Sequence, residues 1–288
     1  MASESSQQAP KVAFVLGGGG LRGAAEVGMV KALARTDVRP DLVVGTSIGS
    51  INGAIVASGP LDEMAVRLDG MWQQLSESGV LHEGLFQRAA NLVRHGTHLH
   101  SNHAMRRLLT EWLPLETFDE LPIPFQCVAA CVETSSESWF ESGPLIEALL
   151  SSCAVPGLLP PVEVDGRHYI DGGVVNSIPI SRALELGATT IFVLHVGNID
   201  APLRAPRSAR DVAFVAFEIS RRHRFHRDME DLPDGVTIHV LPTGLDPHRN
   251  FNDPSKLRYN HSVAIRDGID RAEDETTRYL AGIGAEAR

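Results

Sequence analysis

The pentapeptide Gly45-Thr46-Ser47-Ile48-Gly49 constrains this chain more than any other stretch. It ends the β-branched run Asp41-Leu42-Val43-Val44, and Ser50-Ile51-Asn52-Gly53-Ala54 follows at once with a composition that suits a helix. Ser47 therefore stands where a strand turns sharply into a helix, the arrangement of a nucleophile elbow. The serine takes a strained backbone at the apex, while Gly45 and Gly49 carry no β-carbon to clash as the chain doubles back. The hydroxyl is thrust outward, and the new helix aims the positive end of its dipole at it. The competing reading is a plain glycine-rich turn; the strand before and the helix after favour the nucleophile.

A chain of 288 residues can bury one large α/β core. We read residues 11–288 as one domain behind a polar tail, 1–10, with 61–121 as a cap or lid region. The tail lacks an apolar core and a basic start, so it is not read as a signal peptide. No apolar run approaches the roughly 20 residues of a membrane span. The formal net charge of −10 argues against nucleic acid as a partner and against broad adsorption to anionic membranes. Cys127, Cys131 and Cys153 make neither a disulfide framework nor a close metal pair. Reduced thiols in a cytoplasmic protein are expected, with Cys127 and Cys131 buried in a strand.

Lys11-Val12-Ala13-Phe14-Val15-Leu16 reads as a buried first strand running into Gly17-Gly18-Gly19-Gly20-Leu21-Arg22-Gly23, and a helix follows to Arg35. Gly18, Gly20 and Gly23 match the G-x-G-x-x-G dinucleotide fingerprint. That reading requires an acidic residue at the end of the next strand, whereas the next strand ends in the serine elbow and Asp41 begins it. A tight strand-to-helix turn is the simplest reading of the loop. An oxyanion hole is the third: consecutive glycines let several N–H groups point to one spot, and Arg22 adds positive charge beside it. Since the elbow strand directly follows the first strand and helix, the two are expected side by side in a parallel sheet, with the glycine loop and Ser47 as neighbours.

Helical patterns around Met64–Leu75 and His103–Trp112 flank a section rich in histidine: His82, His95, His98, His100 and His103. With no cysteine among them, the spacing fits no zinc motif, so no metal or other cofactor is expected and a cap is the preferred reading. Phe125 to Val132 resumes as a strand, Trp139 and Phe140 belong to another, and Pro144 to Ser151 is a helix. The segment from Ser151 to Pro161 is irregular and lines a pocket. Val162 to Ile170 then alternates around Asp165-Gly166, the signature of a hairpin. Its return strand delivers Asp171-Gly172-Gly173, a carboxylate followed by glycines that allow close backbone approach. A turn-forming aspartate is the alternative.

These residues resemble the patatin-like phospholipases, specifically the small bacterial members. Gly17-Gly18-Gly19-Gly20-Leu21-Arg22-Gly23, Gly45-Thr46-Ser47-Ile48-Gly49 and Asp171-Gly172-Gly173 match in order. Ser152, Pro156 and Pro161 before the last motif, and Asn176, Pro179 and Gly187 after it, are similar too. The resemblance covers about residues 11–197. It implies a Ser47–Asp171 dyad acting on lipid acyl esters, with Gly18, Gly19 and Gly20 in the oxyanion hole. Glu26 departs from the pattern, standing where many members carry His.

Beyond Val196 the match thins, so 198–288 is the less certain part of the domain. Asp211 to Asp228 reads as a helix, apolar at first and ending in a solvated basic stretch of Arg221, Arg222, Arg224 and Arg227. A membrane or partner surface is the alternative for it. Val236–Leu241 reads as a last strand and Pro254–Leu280 as a closing helix. The expected fold is a three-layer α/β/α domain with a mostly parallel central sheet. The expected chemistry is serine acyl hydrolysis: Ser47 attacks an ester, the glycine loop and the Ile48 N–H hold the oxyanion, and Gly45, Gly49, Gly172, Gly173 and Arg22 support the site. The alternatives are an α/β-hydrolase triad using His195 or His239, or a non-catalytic lipid- or nucleotide-binding module. His168 is a further rival base, but on a return strand it points away from Asp171. Expected partners are a lipid or acyl-ester substrate and a transient membrane surface.

Overall fold

The computed structural model describes residues 11–77, 100–196, 199, 202–230, 232–244 and 261–285. Part of the expected cap, with His82, His95 and His98, lies outside the described residues. Five strands run parallel in the order β3 (Phe125–Cys131), β2 (Leu42–Thr46), β1 (Val12–Leu16), β7 (Thr190–Leu194) and β8 (Thr237–Val240). Strands β1 and β2 are neighbours, as their succession predicts. Alternate residues of β1 serve two cores. Phe14 and Leu16 join one with helices α1 (Ala24–Ala34), α2 (Ile48–Ala57), α3 (Leu61–Glu77), α4 (His103–Trp112) and α5 (Leu145–Ser152). Ala13 and Val15 join the other, with Ile180 and Ala183 of α6 (Ile180–Glu185) and Phe225 of α7 (Ala209–Glu230). A strand buried on both faces has no polar side to alternate. That is why the sequence shows runs such as Val12–Leu16 without periodicity, and why the fold is three-layered, α/β/α.

The antiparallel part of the sheet positions the site. Strand β4 (Ser136–Phe140) pairs with Cys127 to Cys131 of β3, while β2 pairs with Phe125 to Val128 and β6 (Arg167–Asp171) with Ala129 to Cys131. A strand has only two edges, and β4 occupies one along its length. Strands β2 and β6 therefore share the other edge, end to end. Thr46 stands opposite Val128 and Asp171 opposite Ala129, the next residue. Because β2 runs with β3 and β6 against it, the two carboxyl ends point at each other across that junction. The hairpin of β5 (Val162–Val164) with β6 turns at Asp165 and Gly166, whose φ values of 50° and 74° are those a two-residue I′ turn requires.

Helix α1 is held on its outer side by α8, described over His261–Gly282; the start expected for this helix at Pro254 lies outside the described residues. Ile265, Ile269, Ala272 and Leu280 of α8 enter the same core as α1, and Glu273 pairs with Lys31 at 2.5 Å and with Arg35. The two backbones meet at Gly28. A β-carbon there would stand 2.2 Å from the Ile269 carbonyl oxygen and 2.7 Å from the Glu273 nitrogen. Alanine is favoured over glycine in a free helix by about 1 kcal/mol, but forcing a methyl against fixed backbone costs about 1–3 kcal/mol or more. The second effect wins. Gly28→Ala is expected to lower the urea midpoint at unchanged m-value; an equal or higher midpoint would contradict this packing.

Candidate active site

At the elbow, Ser47 has φ 54° and ψ −128°, a conformation costly for a residue with a side chain, and α2 starts at the next residue. A β-carbon on Gly45 would lie 2.6 Å from the Gly49 carbonyl oxygen, and one on Gly49 would lie 2.5 Å from that of Leu16, so the turn closes only with glycine at both places. The hydroxyl is not thrust into solvent as the motif suggests. Ser47 is 6% exposed, because neighbouring segments cover the apex. Its N–H donates to Ser152 Oγ at 2.9 Å, and Ser152 Oγ donates to the Val128 carbonyl at 2.7 Å. The end of α5 thereby ties the elbow to β3. Cys153, the next residue, packs its thiol 3.9 Å from Ser50 Oγ. All three cysteines are buried, as expected of the two in β3.

Ser47 Oγ donates to Asp171 Oδ2 at 2.6 Å, across the junction where β2 and β6 meet. The other oxygen, Oδ1, accepts the Gly173 N–H at 2.7 Å, and the Asp171 N–H donates to the Ala154 carbonyl at 2.9 Å. Close approach is needed here too: a β-carbon on Gly172 would sit 2.1 Å from the Val128 carbonyl oxygen. Asp171 is 2% exposed. Its burial raises the carboxyl to about 6, against the opposing pull of its bonds to Ser47 and Gly173. The irregular segment after α5 does line this site, through Cys153 and Ala154.

The glycine loop lies against the elbow, a β-carbon on Gly18 falling 3.3 Å from that of Ser47. One expectation needs correction. The Gly18 N–H donates to the Ser177 carbonyl at 2.8 Å, just as Gly17 donates to Leu194 at 2.9 Å, so Gly18 has no N–H to offer a ligand. The N–H groups of Gly19 and Gly20, at the start of a 3₁₀ turn, and of Ile48, first in α2, are helix-start donors, which have no carbonyl of their own helix to bond.

A family model described as Patatin-like phospholipase matches residues 14–184, a span holding the glycine loop, the elbow and Asp171. The chain belongs to the patatin-like phospholipase family. It is 32% identical over 200 residues to a patatin-like phospholipase domain-containing protein of Caenorhabditis elegans, covering 66% of this chain and 14% of that one. An uncharacterized NTE family protein of Mycobacterium bovis is 32% identical over 205 residues, 68% of this chain and 52% of its own. Lysophospholipase nte1 of Aspergillus terreus is 29% identical over 197 residues, 66% and 12%. The chain thus spans about half the length of these relatives or much less. The solved structure of VipD from Legionella pneumophila overlaps it with a TM-score of 0.46 at 15% identity, over 95% of this chain and 67% of that one.

In this patatin-like chain the hydrogen bonds described for Ser47 and Asp171 include none to a histidine. His168 is exposed and bonded through Nδ1 to Glu133 at 2.8 Å. His239 lies on β8, bonded to Tyr279 at 3.1 Å and stacked on Phe192. His195, just beyond β7, is buried, and burial with Arg221 nearby pushes it down to about 3. The basic end of α7 is solvated only in part, Arg227 being exposed as expected. Arg221 and Glu218 are buried and paired at 3.1 Å, and Arg224 pairs with Glu137 at 3.0 Å. Arg22 joins that cluster beside the glycine loop, and burial lowers it to about 10. Among the described residues no group of three or more His, Cys, Asp or Glu is placed to hold a metal, and no helix is long and apolar enough to cross a membrane.

Sequence reasoning missed Ser152 as a clamp, Ser177 as the acceptor for Gly18, and the cluster of Arg22, Arg221 and Arg222 about the buried Glu218. Only the first carried a signal, its place in the small-residue run before the hairpin. A raised carboxyl is also a stability cost. The cost is absent below the unfolded value of 3.8, grows as pH rises, and is complete above about 6, where it amounts to about 3 kcal/mol. Asp171→Asn is therefore expected to gain stability over wild type progressively as pH rises through that window, read from paired denaturant melts. A constant difference across it would contradict the buried, perturbed carboxylate.

Proposed function

We propose that this chain is a lipid acyl hydrolase that cleaves carboxylic esters of phospholipids or lysophospholipids through a Ser47–Asp171 dyad. The observation that carries the reading is the 2.6 Å hydrogen bond from the strained Ser47 hydroxyl to the buried Asp171 carboxylate. Family membership and a relative named a lysophospholipase support the substrate class.

Asp171 Oδ2 takes the Ser47 proton as Oγ bonds to the ester carbonyl carbon. A carboxylate of ordinary basicity is a poor acceptor for a serine proton. Raised to about 6 by burial, Asp171 is a better one and still ionised at neutral pH. The carbonyl oxygen becomes an oxyanion, and the N–H groups of Gly19, Gly20 and Ile48, with the α2 dipole, stabilise it. As the tetrahedral adduct collapses, the C–O bond to the leaving alcohol breaks and Asp171 returns the proton to that alcohol. Water then attacks the acyl-Ser47 ester, giving its proton to Asp171; expulsion of Ser47 Oγ frees the fatty acid and restores the serine. Ser152, by holding the Ser47 N–H, keeps the elbow from relaxing during both attacks.

On a soluble p-nitrophenyl ester, Ser47→Ala and Asp171→Asn are expected to abolish hydrolysis. His168→Ala and His195→Ala should each keep at least about a tenth of it, a barrier change near 1.4 kcal/mol or less. A folded His195→Ala variant as inactive as Ser47→Ala would restore a triad. Covalent labelling of Ser47 by an active-site-directed phosphonate separates this enzyme from a lipid- or nucleotide-binding module, which would not react.

No step requires a metal ion. Chelator-treated protein should keep its activity on the soluble ester; loss that Zn²⁺ or Ca²⁺ restores would bring the histidines of 82–103 into the mechanism.

A further inference from the structure

Glu26 is fully buried on α1, and no step of the proposed reaction uses it. Its Oε2 accepts a hydrogen bond from Asn52 Nδ2 at 2.7 Å, and its Oε1 has no partner among the described residues. The Asn52 amide cannot be turned round. Trp72 Nε1, a group that only donates, gives its hydrogen to Asn52 Oδ1 at 2.9 Å, which directs Nδ2 at both Glu26 and the Gly23 carbonyl, the latter at 3.1 Å. Gly23 closes the turn that carries the glycine loop into α1, and a β-carbon there would lie 2.7 Å from the Ile48 side chain. The Gly17 backbone also lies close to the carboxyl, although its N–H is given to Leu194. Glu26 is thus wedged behind the loop, between the two segments whose N–H groups face the oxyanion.

No charged group described there pairs with the carboxyl, and the pull of the Asn52 amide and the Gly17 backbone is outweighed by burial. On the preceding turn Arg22 lies with Glu218, Arg221 and Arg222 of α7. On α8, Glu273 pairs with Lys31 and Arg35, and on α3, Asp69 pairs with Arg266 at 2.8 Å. From α2 and α3 the carboxyl meets only the uncharged Asn52–Trp72 pair. A lone ionised carboxylate with one oxygen orphaned costs several kcal/mol in such a place, whereas the neutral acid leaves a single polar group unmet. Burial accordingly raises Glu26 well above the usual carboxylate range.

We propose that Glu26 works as a carboxylic acid: a positioning residue that holds the glycine loop through Asn52 while protonated, and that shuts the enzyme down when it ionises. A negative charge behind the Gly19, Gly20 and Ile48 donors opposes the oxyanion they serve. Turnover therefore falls at alkaline pH while KM moves little. The inference rests on the acyl-hydrolase reading of Ser47.

The test compares kcat and KM across pH for wild type, Glu26→Gln and Glu26→Ala on a soluble ester, beside infrared spectra of wild type and the Gln variant. Glutamine keeps the volume and an acceptor for Asn52 but cannot ionise. It is expected to hold near-wild-type kcat at neutral pH and to lose the alkaline decline. Alanine removes the support and should lower kcat by about tenfold to a hundredfold, the scale of a misplaced catalytic loop. Wild type should show the carbonyl stretch of a buried carboxylic acid, absent in Glu26→Gln and fading as activity declines. A Gln variant as impaired as Ala, one sharing the wild-type alkaline decline, or absence of that band would overturn the proposal. A wild type inert to esters and unlabelled by phosphonate would overturn the hydrolase reading and the positioning role with it, while the band alone still decides whether Glu26 is protonated.

Discussion

Burying a carboxylate is expensive, and in this fold the expense falls on Asp171. The residue is removed from water, yet among the described residues its oxygens accept only two hydrogen bonds, from Ser47 and Gly173. Few donors mean weak stabilisation of the charge, and weak stabilisation leaves the carboxylate more basic, as the proposed reaction at Ser47 requires. Adding donors would make the fold more stable and Asp171 a worse base for the proposed reaction. The site therefore draws on stability supplied elsewhere, chiefly the double-faced core of β1, β2 and β7 and the α1–α8 contact.

The junction on the free edge of β3 makes that arrangement possible. Two strands that end against each other leave a gap in the ladder, and both chains must turn away from it. Chain turning is what exposes Ser47 Oγ and Asp171 Oδ2 to one another, and the clamp from Ser152 to the Val128 carbonyl fixes the gap's width. The same junction brings the carboxyl end of β1 alongside, so the glycine loop arrives next to Ser47. Behind it, the Glu26–Asn52–Trp72 chain of hydrogen bonds ties three helices to the back of that loop. The donors and the nucleophile of the proposed reaction are thus set by one piece of sheet geometry.

Local rules made the elbow, the hairpin and the parallel pairing of β1 with β2 legible in the sequence, because each depends on residues close together in the chain. Gly45 and Gly49 are needed for a close approach that the pattern itself announces, and Asp165-Gly166 can hardly turn otherwise. What escaped depends on distant partners. Gly18 looks like its neighbours until Ser177, far along the chain, takes its N–H. Arg221 reads as solvated because helical spacing does not reveal that Glu218 and Arg22 share its buried face. Ser47 was expected in solvent for the same reason: the segments that cover the apex come from α5 and β6, more than a hundred residues later.

The claim at the centre is that Asp171, and no histidine, is the group that must be ionised for Ser47 to react. The rate of Ser47 phosphonylation as a function of pH tests it directly, since the reaction stops at the first covalent step and needs neither deacylation nor a lipid surface. The rate should rise with one ionisation near pH 6, where burial sets Asp171, with the same midpoint in wild type and in His195→Ala. A midpoint that shifts or vanishes on removing His195 would contradict the dyad.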